Sequence, residues 1–153
     1  MTWTDEKLAE LPVVSGMRQR GVEMTRLETF CDAAFAFSVT LLVIAGGTIP
    51  TSMDGLIRAL KDIPAFVLSF AAIASFWWAH RQWSRCYGLE DGVTTVVSLG
   101  MVVVMLIYIY PLKMVFSAFA FWASGGFFPS EFVVERAGDL PMLFVVYGLG
   151  VAA

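Results

Sequence analysis

Arg26 and Asp32 stand six positions apart at the start of a long apolar run, where ionisable side chains are unexpected. Such groups at the edge of a nonpolar helix are costly unless they are paired, hydrated or extended to a polar surface. Two interpretations are open. Either both side chains extend to a polar interface, or they belong to a polar cluster that fixes this helix against its neighbours. Trp77 and His80, at the end of the next apolar run, would meet them if the two helices are antiparallel.

The other reactive side chains do not form the pattern of an enzyme or a metal site. Cys31 and Cys86 lie far apart, are not a CxxC pair and have no histidine cluster beside them, since His80 is the single histidine. The sequence contains no GxSxG, HExxH or Walker motif. It therefore predicts a protein that is not an enzyme and needs no cofactor or metal.

Composition places the chain in a membrane. Apolar residues make up 58% of the sequence, charged residues only 15%, and the mean hydropathy is +0.74. A soluble domain is nearer half apolar and a quarter charged, so the excess apolar surface predicts a lipid bilayer as partner. The net charge of −3, without any basic cluster, argues against nucleic acid.

Three apolar runs are long enough to cross a bilayer, which requires about 20 residues. They cover about 30–49, 63–79 and 94–112, and a fourth run, 140–153, is too short to cross. The sequence thus predicts an all-α, polytopic transmembrane bundle with three complete spans and an incomplete fourth. Residues 1–25 form a separate N-terminal segment, and residues 26–153 the membrane domain. The short last run indicates either a fragment or a re-entrant last helix, and we favour the fragment.

Residues at the ends of these runs predict where the helices begin and end. Asp62 is placed to cap the second helix, with Pro64 in its first turn. Pro111 and Lys113 indicate a kink or an exit from the membrane, with the Lys113 side chain extending to the headgroups. Basic residues are slightly more frequent before the first run and after the second, which predicts a cytoplasmic N-terminus.

Two motifs carry a family resemblance. Arg26-x-x-x-Phe30-Cys31-Asp32-Ala33 resembles the Arg-x-x-x-Phe-Ser-Asp-Ala signature that opens the first span of the transmembrane protein 175 family of potassium channels. Phe76-Trp77-Trp78-Ala79-His80 resembles that family's Phe-Trp-x-x-His at the end of the second span. The resemblance covers about 26–111 and implies a structural motif at the cytoplasmic end made of Arg26, Phe30, Cys31, Asp32, Trp77 and His80. Cys31 replaces the usual serine and is the weaker hydrogen-bond donor.

The resemblance also implies a function. Family members conduct potassium through a pore lined by the first helix of each subunit, and bacterial members are homotetramers of six-span subunits. A bacterial plasma membrane is the implied location, and the missing spans fit a C-terminally truncated sequence. The permeating species would be the potassium ion.

Helical spacing places Phe37, Leu41 and Ile44 on one stripe of the first span, with Thr40 beside it. The resemblance implies that Phe37 forms the constriction nearest the cytoplasm, Thr40 a threonine layer and Ile44 the outer constriction. Phe37 stands where isoleucine or leucine is usual. Without the resemblance, such a stripe would be lipid-facing or packing surface, and the Thr40 hydroxyl would bond back to the carbonyl of Ala36.

Two other functions stay open at this point. A membrane scaffold or assembly subunit needs only the packing of the spans. A small secondary transporter requires ionisable groups near the middle of the bilayer or paired discontinuous helices, and the charges of this sequence lie near the predicted helix ends.

Overall fold

The computed structural model describes residues 9–14, 16–21, 23–47, 49–88 and 91–130, with 141–142, 145 and 148. A short hairpin joins β1 (Val13–Val14) to β2 (Met17–Arg18) before the helices begin. Within the described part of the chain the helices are α1 (Arg26–Ile44), α2 (Met53–Lys61), α3 (Ile63–Tyr87) and α4 (Gly92–Ala123).

Helices α1, α3 and α4 are long and apolar enough to cross a membrane. This confirms the predicted all-α bundle and its three complete spans. The protein is an integral membrane protein. The predicted fourth run, 140–153, falls almost wholly outside the described residues, and the N-terminal segment 1–25 is described only in part.

A capping box makes α1 begin at Arg26, four residues before the apolar run. The Glu28 backbone N–H donates to the Thr25 hydroxyl at 3.1 Å, and the Thr25 backbone N–H donates to the Glu28 carboxylate at 2.9 Å. These two bonds satisfy backbone donors that the first turn leaves free. The helix ends at Ile44, before Gly47 with its φ of +99°, so it spans 19 residues, or about 28 Å.

The three spanning helices pack against one another pairwise. Their shared core contains Phe35 and Leu42 from α1, Ile73 from α3, and Met105, Ile109 and Leu112 from α4. Small hydroxyl residues are buried between the helices and let the backbones approach closely. The hydroxyl groups of Ser38 and Ser69 donate to carbonyls one turn earlier in their own helices, at 2.9 and 2.8 Å. These hydroxyls therefore need no partner on another helix.

Helix α4 continues past Pro111 to Ala123, so the predicted kink or exit from the membrane falls within a continuous helix. A proline removes one helical hydrogen bond, and in a membrane bundle neighbouring helices can offset this loss. The 32 residues of α4 extend about 48 Å, which exceeds a hydrocarbon core of about 30 Å. At its start, the Asp91 side chain accepts from the Thr94 N–H at 2.9 Å, and hydrogen bonding to Thr94 lowers the pKa of Asp91.

Helix α3 continues beyond the apolar run, which ends at about residue 79, and stops at Tyr87, where Gly88 adopts the left-handed conformation with φ of +55°. The preceding chain packs on this turn, and the Gly21 N–H donates to the Arg85 carbonyl at 3.1 Å. A Cβ atom on Gly88 would lie 2.7 Å from the Arg20 carbonyl carbon. Only glycine therefore permits both the turn and this close contact.

The short helix α2 connects α1 to α3 and was not predicted. Ser52 caps it by accepting from the Gly55 N–H at 3.1 Å. Its apolar side chains share one face and are exposed in the described part of the chain: Met53, Leu56, Ile57 and Leu60. Nine residues are too few for a span, so a search for long apolar runs does not detect this helix.

Candidate pore helix and the polar clusters at its two ends

One face of α1 is buried in the bundle. Cys31, Phe35, Ser38 and Leu42 are at most 5% exposed. Their separations of four, three and four residues keep them on one side of a helix that turns about 100° per residue. This face is fixed by packing on α3 and α4, so it cannot line a pore.

The opposite face of α1 is uncovered within the described residues. Phe37 is 55% exposed and Ile44 62% exposed, and Thr40 is exposed between them. At about 100° per residue, Thr40 points about 170° away from the centre of the buried set, which is almost directly opposite. Phe37, Thr40 and Ile44 therefore share one face, with Thr40 at its middle.

Leu41, which the sequence places on the same stripe as Phe37 and Ile44, lies at the edge of this face. It is only partly exposed and packs against the core. The physical reason is its rotation of about 90° from the buried set, which places the side chain at the edge where α1 meets its neighbours. Spacing alone could not separate Leu41 from Thr40, because nearly every position of α1 is apolar.

The Thr40 hydroxyl has a partner in its own helix. It donates to the Ala36 carbonyl at 3.3 Å, which is the back-bonding that sequence reasoning also considered. A hydroxyl offers one proton and two lone pairs, so this bond uses the proton and leaves the oxygen to accept. The exposed side of Thr40 thus presents an oxygen dipole, the kind of group that attracts a cation.

The amino-terminal cluster joins the start of α1 to the end of α3. The Trp77 indole Nε1–H donates to Asp32 Oδ1 at 2.8 Å, across 45 positions of sequence. Asp32 makes no ion pair with Arg26 in the described part of the chain, and Arg26 itself is exposed. The indole therefore supplies a donor to one oxygen of the carboxylate and links α1 to α3.

Glu28 is a second carboxylate of the amino-terminal cluster, and sequence reasoning missed it. Besides its capping bond to Thr25, it accepts a hydrogen bond from the Ser84 hydroxyl on α3. The Thr25-x-x-Glu28 spacing before an apolar run is a recognised helix-start signal and could have been found. The contact with Ser84 could not, because it depends on how α1 and α3 pack.

His80 completes the cluster by contacting all three spans. It is 8% exposed, with its ring 6.4 Å from that of Phe35 and 6.0 Å from that of Trp83. Its Nε2 lies 3.3 Å from the Ser98 hydroxyl on α4. The structure therefore pairs Asp32 with Trp77 and directs His80 to α4.

The remaining residues of the predicted motif differ in burial. Cys31 is fully buried, and its thiol makes no hydrogen bond among the described residues, as expected for a weak donor in place of serine. Phe30 is 55% exposed and points away from the core. The motif thus divides into a packed side, with Cys31 and Asp32, and an uncovered side, with Arg26 and Phe30.

The carboxyl-terminal cluster, made of Ala45, Asp62 and Lys113, lies at the other end of α1. Lys113 Nζ donates to the Ala45 carbonyl at 2.9 Å and lies 3.2 Å from Asp62 Oδ2. The predicted extension of Lys113 to headgroups is wrong, because the side chain is 1% exposed and finds both partners inside the bundle. Asp62 occupies the predicted cap position but makes no side-chain cap bond, and its carboxylate pairs with Lys113 instead.

Comparison with known proteins gives the family. Residues 26–111 match the family described as endosomal/lysosomal potassium channel TMEM175. The chain belongs to this family. The predicted family membership is therefore confirmed, and the TMEM175 match spans α1, α2, α3 and most of α4 up to Pro111.

Two relatives of this TMEM175 chain are described as potassium channels. A protein of Marivirga tractuosa named "Potassium channel" is 38% identical over 140 residues, which is 88% of this chain and 56% of that protein. A crystal structure of a threonine-to-alanine variant of the potassium channel MtTMEM175, in complex with a nanobody–MBP fusion protein, is 32% identical with a TM-score of 0.79. It covers 92% of this chain and 62% of that one. This chain thus spans less than two thirds of either relative, and neither is named as an enzyme.

Proposed function

We propose that this protein is a subunit of a potassium-permeable channel whose pore is lined by α1 of each of four copies. The observation that carries the proposal is the position of Thr40, opposite the buried face of α1 and at the middle of its uncovered face. Membership of a family whose relatives are named potassium channels supports the same function. A central axis is the natural place for a face that the subunit's own core leaves uncovered.

The order of side chains along this face suits a pore that is closed by water exclusion. Phe37 lies about 4.5 Å below Thr40 along the helix axis, and Ile44 about 6 Å above it. Rings of exposed apolar side chains narrow a pore and favour dewetting, whereas hydroxyl oxygens stabilise an ion that has lost part of its water. We therefore assign the two constrictions to Phe37 and Ile44 and the ion-contacting layer to Thr40.

The polar clusters at the ends of α1 have a separate role in this proposal. They hold the helix to α3 and α4 and keep charged side chains away from the middle of the uncovered face. A passive pathway without fixed charge fits a channel better than a carrier, which needs ionisable groups along the route. We place the protein in a bacterial plasma membrane, as its bacterial relative suggests, with the N-terminus in the cytoplasm, because basic residues are slightly more frequent on that side.

Potassium and sodium flux into liposomes tests the proposal. The purified protein, verified as a tetramer, is compared with empty liposomes, with Thr40→Val and with Ser75→Ala. Valine keeps the shape of threonine and removes the oxygen. Ser75 is an exposed hydroxyl on α3 that donates to the Ala72 carbonyl at 2.7 Å, and it serves as the matched control.

We expect potassium flux above the empty control, a loss of preference for potassium over sodium in Thr40→Val, and no change in Ser75→Ala. Unchanged preference in Thr40→Val would place the ion-contacting layer elsewhere. A verified tetramer without potassium flux would instead favour a membrane scaffold or assembly subunit, the second function that the packing of the spans supports.

A further inference from the structure

Lys113 is the largest fully buried side chain of the described residues. Its ammonium group contacts the end of α1 through the Ala45 carbonyl, at 2.9 Å, and the start of α3 through the Asp62 carboxylate, at 3.2 Å. Lys113 itself belongs to α4, about 31 Å along that helix from Gly92. One side chain therefore joins all three spanning helices at the same end of the bundle.

The bond to Ala45 supplies something that α1 lacks. The carbonyls of the last turn of a helix have no partner within the helix, and that end carries a partial negative charge. The last turn of α1 contains no basic residue of its own. Lys113 provides the missing cation from α4 and bonds the carbonyl of Ala45, the C-cap residue of α1.

The bonded carbonyl lies directly beside the proposed outer constriction. Ala45 follows Ile44 in the chain, so a shift of the Ala45 peptide moves the Ile44 side chain with it. The two glycines that follow Ala45 close the last turn, with the Gly46 N–H donating to the Val43 carbonyl at 3.0 Å and the Gly47 N–H to the Ile44 carbonyl at 3.2 Å. These bonds lie within the end of α1 itself, and the bond from Lys113 ties the same end to α4.

We propose that Lys113 is a positioning residue for the outer constriction: its bond to the Ala45 carbonyl fixes Ile44 against the axis, while Asp62 neutralises its buried charge. The inference rests on the proposed function. It adds a residue on α4, outside the range 26–111 that matches the family, to the residues that set the width of the proposed pore, and the preference for potassium over sodium depends on that width as well as on Thr40.

The contacts of Lys113 with Ala45 and with Asp62 have different consequences and can be separated. Losing one partner of a buried ion pair leaves an uncompensated charge and destabilises the protein, whereas removing both partners can be nearly neutral. The bond to Ala45 is lost whenever the ammonium is lost. Stability should therefore follow the pairing of Asp62 with Lys113, and pore geometry should follow the presence of Lys113 alone.

The test compares Lys113→Met, Asp62→Asn and the double variant with the unchanged protein. For each we measure the melting temperature of the purified tetramer and the potassium-to-sodium permeability ratio in liposomes. Lys61→Met is the matched control, since Lys61 is near the same end and its ammonium lies 4.5 Å from the centre of the Phe127 ring.

We expect the melting temperature and the permeability ratio to respond to different variants. Both single variants should melt at lower temperature, and the double variant should recover most of the loss. The permeability ratio should fall toward one in Lys113→Met and in the double variant, and stay near the original value in Asp62→Asn and Lys61→Met. The double variant keeps the experiment informative if Lys113→Met fails to assemble.

A double variant with the original permeability ratio would overturn the inference, because Lys113 would then be only half of a structural ion pair. A ratio that falls together with melting temperature in Asp62→Asn would overturn it as well. Absence of potassium flux from the unchanged tetramer is a different result. It would contradict the proposed function itself, and the positioning role with it.

Discussion

Replacing Trp77 with phenylalanine is expected to lower the free energy of unfolding of the protein in detergent by about 1.5–3 kcal/mol, the usual contribution of a hydrogen bond to a charged group. The indole Nε1–H donates to Asp32 at 2.8 Å, and phenylalanine has no donor to replace it. The change also leaves the Asp32 carboxylate, which is only partly exposed, without this donor. Denaturant titration followed by circular dichroism measures the effect.

Trp78→Phe is the matched control for this prediction, because Trp78 is the next residue and is 54% exposed. We expect its effect to stay within about 0.5 kcal/mol, as for most surface substitutions. A double-mutant cycle with Asp32→Leu then isolates the pair, since Trp77→Phe should cost much less in that background. Equal losses at Trp77 and Trp78, or full additivity with Asp32→Leu, would contradict the role of this hydrogen bond.

Replacing Phe37 with alanine is expected to increase potassium flux through reconstituted protein several-fold. Phe37 is 55% exposed on the uncovered face of α1, so the substitution widens the proposed inner constriction and leaves the buried core intact. A wider apolar ring is easier to wet, which lowers the barrier to ion passage. The measurement is potassium flux per tetramer in liposomes, compared with that of the unchanged protein.

Phe119→Ala serves as the control, because Phe119 is 50% exposed on α4 and belongs to no part of the proposed pore. Its flux should match that of the unchanged protein. A Phe37→Ala tetramer with unchanged or reduced flux would show that the side chain does not restrict the pathway.

The sequence was sufficient to predict the spanning helices and the family. A span requires one long apolar run, and the family motifs lie within or beside two of these runs, so local information decides both. The contact between Trp77 and Asp32 was also within reach. Antiparallel pairing of α1 with α3 brings the end of one helix to the start of the other.

Contacts that join distant parts of the chain were beyond such reasoning. Lys113 and Asp62 are 51 positions apart, and each had a plausible local interpretation, one as a headgroup contact and the other as a helix cap. Both interpretations fail because the two charges meet inside the bundle. Apolar content also does not give the limits of a helix: the first apolar run begins at about residue 30, whereas the polar capping box starts α1 at Arg26.

Helix α1 is therefore held at both ends and uncovered in the middle. Trp77 and Ser84 bond its first turns from α3, and Lys113 bonds its last carbonyl from α4. Between these points the face with Thr40 at its centre contacts no other described helix closely. This arrangement fixes the position of α1, and no ionisable residue lies between Phe37 and Ile44.

A thiol placed at Thr40 gives the most direct test of whether this face lines a pore. The measurement is block of potassium flux by cadmium ions in Thr40→Cys, with Ile107→Cys on the exposed face of α4 as the control. Both variants are made in a Cys86→Ser background, and Cys31 is kept because it is fully buried. Thiolates bind soft metal ions, so thiols from several subunits around one axis should hold cadmium in the pathway. We predict block that a chelator reverses in Thr40→Cys and none in Ile107→Cys. Undiminished flux in a Thr40→Cys tetramer at saturating cadmium would contradict a pore lined by α1.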